Sequence, residues 1–154
     1  MLKIISGLDK MVHPLIGIHA ALGEVGAFLF LWLFVEILNI SKHNIRRAKK
    51  VALLGTIFLF LSWLAGGYYY VEFYGSNVKP IIKEGPQPWA HLIFTETKEH
   101  AFLFLPFLSI LLTAIVYRFG SKLESDREAK KAVLLLSMLI VLLALLMAAM
   151  GYII

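Results

Sequence analysis

The chain has 154 residues, 60% of them apolar and 16% charged, with a formal net charge of +5 and no cysteine. A soluble domain of this length could not hide so much apolar surface, so lipid must cover part of it. Without cysteine, disulfides, iron–sulfur clusters, thiolate metal sites and a covalently attached c-type haem are excluded, and any cofactor must be held by histidine, by carboxylate or by shape alone.

Length predicts a single integral membrane domain over residues 1–154, and hydropathy predicts four spans, at about 15–38, 51–70, 99–117 and 132–153. Residues 1–13 carry Lys3, Asp9 and Lys10, and Leu2, Ile4, Ile5 and Leu8 suit a small interfacial helix. No cleavable signal is expected, because the first long apolar run continues for a full span. His13-Pro14 opens the first span, since proline is tolerated in the first turn of a helix. Loop one carries Lys42, Arg46, Arg47, Lys49 and Lys50 and no acid, and the second span ends in an aromatic belt at Tyr68, Tyr69 and Tyr70. Loop two, residues 71–98, is the longest, and Gly75, Pro80, Gly85, Pro86 and Pro88 predict irregular structure there. Pro106 predicts a kink in the third span. Loop three mixes Arg118, Lys122, Arg127, Lys130 and Lys131 with Glu124, Asp126 and Glu128, and the fourth span is almost wholly aliphatic.

Loops one and three together hold ten Lys and Arg, against five in the N-terminal segment and loop two. The positive-inside rule therefore predicts both basic loops in the cytoplasm and both termini outside, in a plasma (inner) membrane. The basic charge signals orientation, not nucleic-acid binding. His13, His19, His91 and His100 fall at or near the outer face, and only His43 falls inside.

Residues 46–54 and 127–135 read Arg-Arg-Ala-Lys-Lys-Val-Ala-Leu-Leu and Arg-Glu-Ala-Lys-Lys-Ala-Val-Leu-Leu, an offset of 81. The same offset carries His19 onto His100. The reading is an all-α, four-transmembrane-helix bundle built from a duplicated two-helix hairpin, with one histidine at the start of each copy. Helices one and three run in the same direction, so the two imidazoles are expected at similar depth. Two histidines facing one another across a bundle axis are natural axial ligands for one haem iron. Gly23 and Gly26 share the His19 face and let either a macrocycle or a neighbouring helix approach the backbone. Leu103, Phe104, Phe107 and Leu111 share the His100 face. The competing reading makes each histidine an interfacial residue bonded to a carbonyl, a headgroup or water.

His13 and His91 are weaker metal candidates, and His91, in a Pro-rich loop, is expected to be solvated. Glu36, near the cytoplasmic end, is expected either to snorkel to the interface or to meet the Lys and Arg of loops one and three. Glu24, deeper, is either a proton acceptor beside a quinone or an acid bonded to a neighbouring helix. Glu96 and Glu99 could tune the His100 tautomer but are expected to be solvated.

His13-Pro14-Leu15-Ile16-Gly17-Ile18-His19, Arg46-Arg47-Ala48, Gly66-Gly67 and His100 together resemble a family of small four-helix membrane proteins of unknown function. The resemblance covers nearly the whole chain and implies a histidine-bearing bundle, similar in logic to small b-type cytochromes.

The first functional expectation is a membrane b-type cytochrome or cytochrome-like subunit. One haem b, ligated by His19 and His100, would pass electrons between the quinone pool and an external redox partner, with quinone as a possible second cofactor. If the chain is an enzyme component, it is an electron-transfer or oxidoreductase subunit. Two alternatives stand beside it. One is a cofactor-free structural or assembly subunit of a larger membrane complex or homo-oligomer. The other is a transition-metal site built from these histidines with Glu96 or Glu99. Nucleophilic catalysis and phosphate-binding loops find no support.

Overall fold

The structure, a computed structural model, describes residues 13–153. The interfacial helix expected within residues 1–13 lies almost wholly outside the described residues. Among those residues the protein is all-helical. Four stretches, Pro14–Leu38, Ile45–Glu84, Ala90–Glu124 and Arg127–Ile153, are each long and apolar enough to cross a membrane.

The first helix, α1, runs from Pro14 to Leu38, and α2 runs from Ile45 to Tyr69. The chain then continues without a break through a π-helical segment, Tyr70–Val78, into α3, Lys79–Glu84. A short turn reverses it into a second π-helical segment, Ala90–Thr95, followed by α4, Glu96–Phe102, and α5, Phe104–Phe119. A 3-10 turn, Gly120–Glu124, leads to α6, Arg127–Ile153. In the bundle α1 packs against α2 and α6, and α5 packs against the same two helices. The first and third spans therefore occupy opposite corners.

Loop two differs most from expectation. It is a helical hairpin, not an irregular loop, and only residues 85–88 leave the helix. Pro80 brings no N–H to the ladder, and the turn before it adopts π geometry, as helices do where the regular bonding pattern is interrupted. The reversal is made by Gly85-Pro86-Gln87-Pro88, where two prolines cannot continue a helix. Helix two thus extends about 20 Å past the Tyr68–Tyr70 belt, at about 1.5 Å per residue. Pro106 lies in the first turn of α5: its ring leaves the Phe102 carbonyl without a helical donor, and α4 gives way to α5 at Leu103.

Two devices close the opposite end of the bundle. Glu36, buried on α1, accepts from Arg47 Nε at 2.6 Å and Nη2 at 2.9 Å, from Trp32 Nε1 at 2.8 Å and from Asn44 Nδ2 at 3.1 Å. The expected meeting of Glu36 with loop one is thereby met by a two-pronged guanidinium contact. Both copies of the basic repeat open a helix, at Ile45 and at Arg127, and Asp126 Oδ1 caps α6 by accepting from Ala129 N at 3.0 Å. Gly120, with φ of 52°, ends α5 in a conformation side chains avoid. In the core, α2 and α5 are joined by hydroxyls: Thr56 donates to the Ser109 carbonyl and Thr113 to the Ala52 carbonyl, each at 3.1 Å.

Candidate functional site

The two repeat-related histidines occupy different surroundings. His19 turns towards α2. Its Nδ1 lies 2.8 Å from the Ser62 carbonyl and 3.0 Å from Ser62 Oγ, while Ser62 Oγ donates to the His19 carbonyl at 2.8 Å. A carbonyl only accepts, so Nδ1 carries the proton. The ring fills a notch made by Gly66, where a Cβ would stand 2.6 Å from Nδ1.

Gly23 and Gly26 belong to the same interface. A Cβ on Gly23 would sit 3.1 Å from Ser62 Oγ, and one on Gly26 would sit 2.8 Å from Leu59 Cδ2. The space beside both glycines is filled by α2, so of the two uses open to them it is helix packing that occurs here.

His100 lies on the exposed side of α4. Its Nδ1 donates to the Glu96 carbonyl, one turn back, at 2.7 Å. The tautomer is therefore set by backbone, not by the Glu96 or Glu99 carboxylate. The ring borders an open depression with Leu92, Glu96, Thr97, Ala101 and Phe104. Lys98 takes the other side of α4: half-buried, it reaches the end of α6 beside Gly151. Residues two apart on a helix point to nearly opposite sides, so α4 turns lysine inward and histidine outward. His19 thus faces α2, and His100 lies on the exposed side of α4.

The offset of 81 explains the asymmetry. Ser62 and Gly66, which receive His19, correspond to Leu143 and Met147. Met147 is buried on α6. Leu143 and Met147 offer neither the hydroxyl nor the notch, and His100 stays outside.

His13 caps α1. Its Nδ1 accepts from Leu15 N at 3.2 Å, and its ring lies 4.0 Å from that of Phe73 and 5.7 Å from that of Tyr69, centroid to centroid. The N-terminus of α1 is thus fastened to the base of the hairpin.

His91 overturns the expectation of a solvated ring: it is fully buried. The hairpin is helical, so His91, Thr95 and Lys98 recur at helical spacing on its inward side. Tyr74 Oη lies 2.9 Å from His91 Nδ1 and 3.1 Å from Thr95 Oγ1. His91 Nε2 and Glu99 Oε1 are buried without a hydrogen-bond partner, and the nearest acid to Nε2 is Glu96, at 3.9 Å. The signal for this cluster was present in the sequence as His91 and Thr95 four residues apart, but it carries meaning only if 90–95 is a helix. Among the described residues, no three histidine or acidic side chains are arranged to hold a metal ion.

Glu24 is exposed on α1, in line with Gly17, Ala21 and Phe28. It stands ten residues into the helix, about 15 Å from its start at about 1.5 Å per residue. Among the described residues its carboxyl makes no hydrogen bond to a neighbouring helix.

The fold defines an all-helical chain with four helices fit to cross a membrane, as in an integral membrane protein. No family model, no curated protein and no solved structure matches it.

Proposed function

We propose that the protein is a structural or assembly subunit of a larger membrane complex, seated against its neighbour through the outward face of α1. The observation that carries this reading is Glu24. Ionisable residues within a span almost always face protein or a water-filled cavity, because hydrocarbon solvates them poorly. Glu24 instead lies on the outward surface, on a stripe begun by Gly17 and Ala21. Small residues four apart are where membrane helices approach closely, and a polar group from the neighbour would satisfy the carboxyl. In the orientation that the Lys and Arg count supports, both termini and the hairpin lie outside a plasma (inner) membrane.

The test is the size of the protein extracted from its own membrane in mild detergent. The wild type migrates as a larger assembly, and Ala21→Leu, which blocks close helix approach, releases the single chain. A wild type that runs as a single chain, or an Ala21→Leu protein that stays in the assembly, overturns the reading.

One observation favours a second reading, the haem b electron carrier between the quinone pool and an external redox partner. His19 and His100 both commit Nδ1–H to a backbone carbonyl. That leaves the neutral ring's lone pair on Nε2, the form in which imidazole ligates iron. The residues fit ligation singly. No electron-transfer step is derived through them. The spectrum of purified, dithionite-reduced protein decides it. A b-type band lost in both His19→Ala and His100→Ala supports the carrier, and colourless protein ends it.

A further inference from the structure

The cluster inside the hairpin has a hydrogen-bond order that can be read from its one pure acceptor. Thr95 Oγ1 lies 3.4 Å from the Ala90 carbonyl, which can only accept, so the threonine proton is spent there. In the order that follows from that contact, Thr95 Oγ1 accepts from Tyr74, at 3.1 Å. Tyr74 Oη, its proton directed to Thr95, then accepts from His91 Nδ1, at 2.9 Å. The ordering uses every contact once and puts a proton on Nδ1. Its consequence falls on the other nitrogen. In the neutral ring, Nε2 is a bare lone pair with no solvent exposure, and a carboxylate oxygen of Glu96 lies 3.9 Å away. Two acceptors facing one another repel, and a buried polar atom without a partner is costly.

We infer that His91 Nε2 and the Glu96 carboxylate form a proton-binding site, in which one proton taken up at Nε2 bridges the two arms of the hairpin to the start of α4. With that proton in place the imidazolium donates from both nitrogens, to Tyr74 and to Glu96, and no polar atom of the ring is left unpaired. The Glu96 side chain is half exposed and free to swing inward by the ångström or so that a charge-assisted bond needs. The charges around the ring are balanced without it. Glu96 and Glu99 on α4 lie opposite Lys79 and Lys83 on α3, Lys98 stands on α4 as well, and Tyr69, Tyr70 and Tyr74 are the tyrosines of the first arm beside the ring, with Glu72 and Glu84 further along that arm. From α6 only Tyr152 could titrate nearby, and it is exposed. Burial of the ring and the Lys79 and Lys83 ammoniums oppose the cation, and the Glu96 and Glu99 carboxylates favour it. Two groups and a proton satisfy this geometry, whereas a metal ion would need more convergent ligands than are present. The inference does not depend on how the protein is assembled or on whether haem is bound.

Long-range proton–nitrogen NMR of the full-length, histidine-labelled protein in lipid nanodiscs tests it. The His91 signal is identified by its loss in His91→Gln. Should that variant fail to fold, Tyr74→Phe identifies it by removing the Nδ1 acceptor. At alkaline pH the wild-type ring is expected with its proton on Nδ1, and on acidification it becomes the imidazolium. In Glu96→Gln its proton affinity falls tenfold or more, a drop of at least about one pH unit in the midpoint. A proton found on Nε2 at alkaline pH, or a midpoint unmoved in Glu96→Gln, overturns the site.

Discussion

The two stretches related by the offset of 81 begin alike and end differently. His19 and His100 each open the first helix of their pair, each followed by alanine, and each gives Nδ1 to a backbone carbonyl. Yet His19 takes its carbonyl from another helix and becomes a fastener between α1 and α2, whereas His100 takes it from its own preceding turn and fastens nothing. The difference lies not in the histidines but in what waits opposite. Ser62 and Gly66 make a notch with a hydroxyl beside it, and Leu143 and Met147 make a packed apolar surface. A sequence repeat preserves residue types, while a contact needs both partners preserved.

The comparison can be broken first at the notch itself. Gly66→Leu places a branched side chain where His19 Nδ1 already stands 2.6 Å from the position of a Cβ. The ring must leave and α1 must shift, so the cost should reach or exceed about 3 kcal/mol, the upper end for overpacking a tight site. Reversible unfolding in mixed micelles measures it. Next comes the corresponding position of the second copy. Met147→Ala empties a buried site on α6 and should cost about 2–4 kcal/mol by the same assay, without affecting His100. An equal perturbation of the His100 NMR signal would show that the second copy has a hidden notch after all.

The histidines themselves should then separate. His19→Ala leaves the Ser62 carbonyl short of its donor and is expected to cost about 1–3 kcal/mol, whereas His100→Ala removes an exposed ring and should stay within about 0.5 kcal/mol. Equal losses would erase the contrast between the copies. The smallest effect is expected between α2 and α5. Thr113→Val removes one interhelical hydroxyl bond and should cost about 0.6 kcal/mol, the usual worth of such bonds within membranes.

The residues whose roles could be read in advance are those that act through their own helix or through charge. Pro14 and Pro106 mark a start and a break by chemistry local to the backbone. Glu36 met the basic residues of loop one because a carboxylate near a helix end has few other places to go. Glycines were ambiguous for a physical reason: Gly23 and Gly26 announce a close approach without saying what approaches. Loop two was misread because Pro80, Gly85, Pro86 and Pro88 were weighed as a cluster. Pro80 sits in the first turn of α3, where proline costs little, and only the group at 85–88 ends the helix.

By itself, then, the sequence determined that four apolar helices would form and where the basic turns between them fall. Those outcomes follow from hydropathy, helix length and backbone chemistry, which act within a short stretch of chain. Only the tertiary structure decided that His19 would be enclosed and His100 left outside, that His91 would be buried against Tyr74, and that Glu24 would point away from the bundle. Each of these depends on which side of a helix meets which neighbour. That is settled by the fit of side chains far apart in the chain, such as His19 in the notch of Gly66, and no local pattern encodes it.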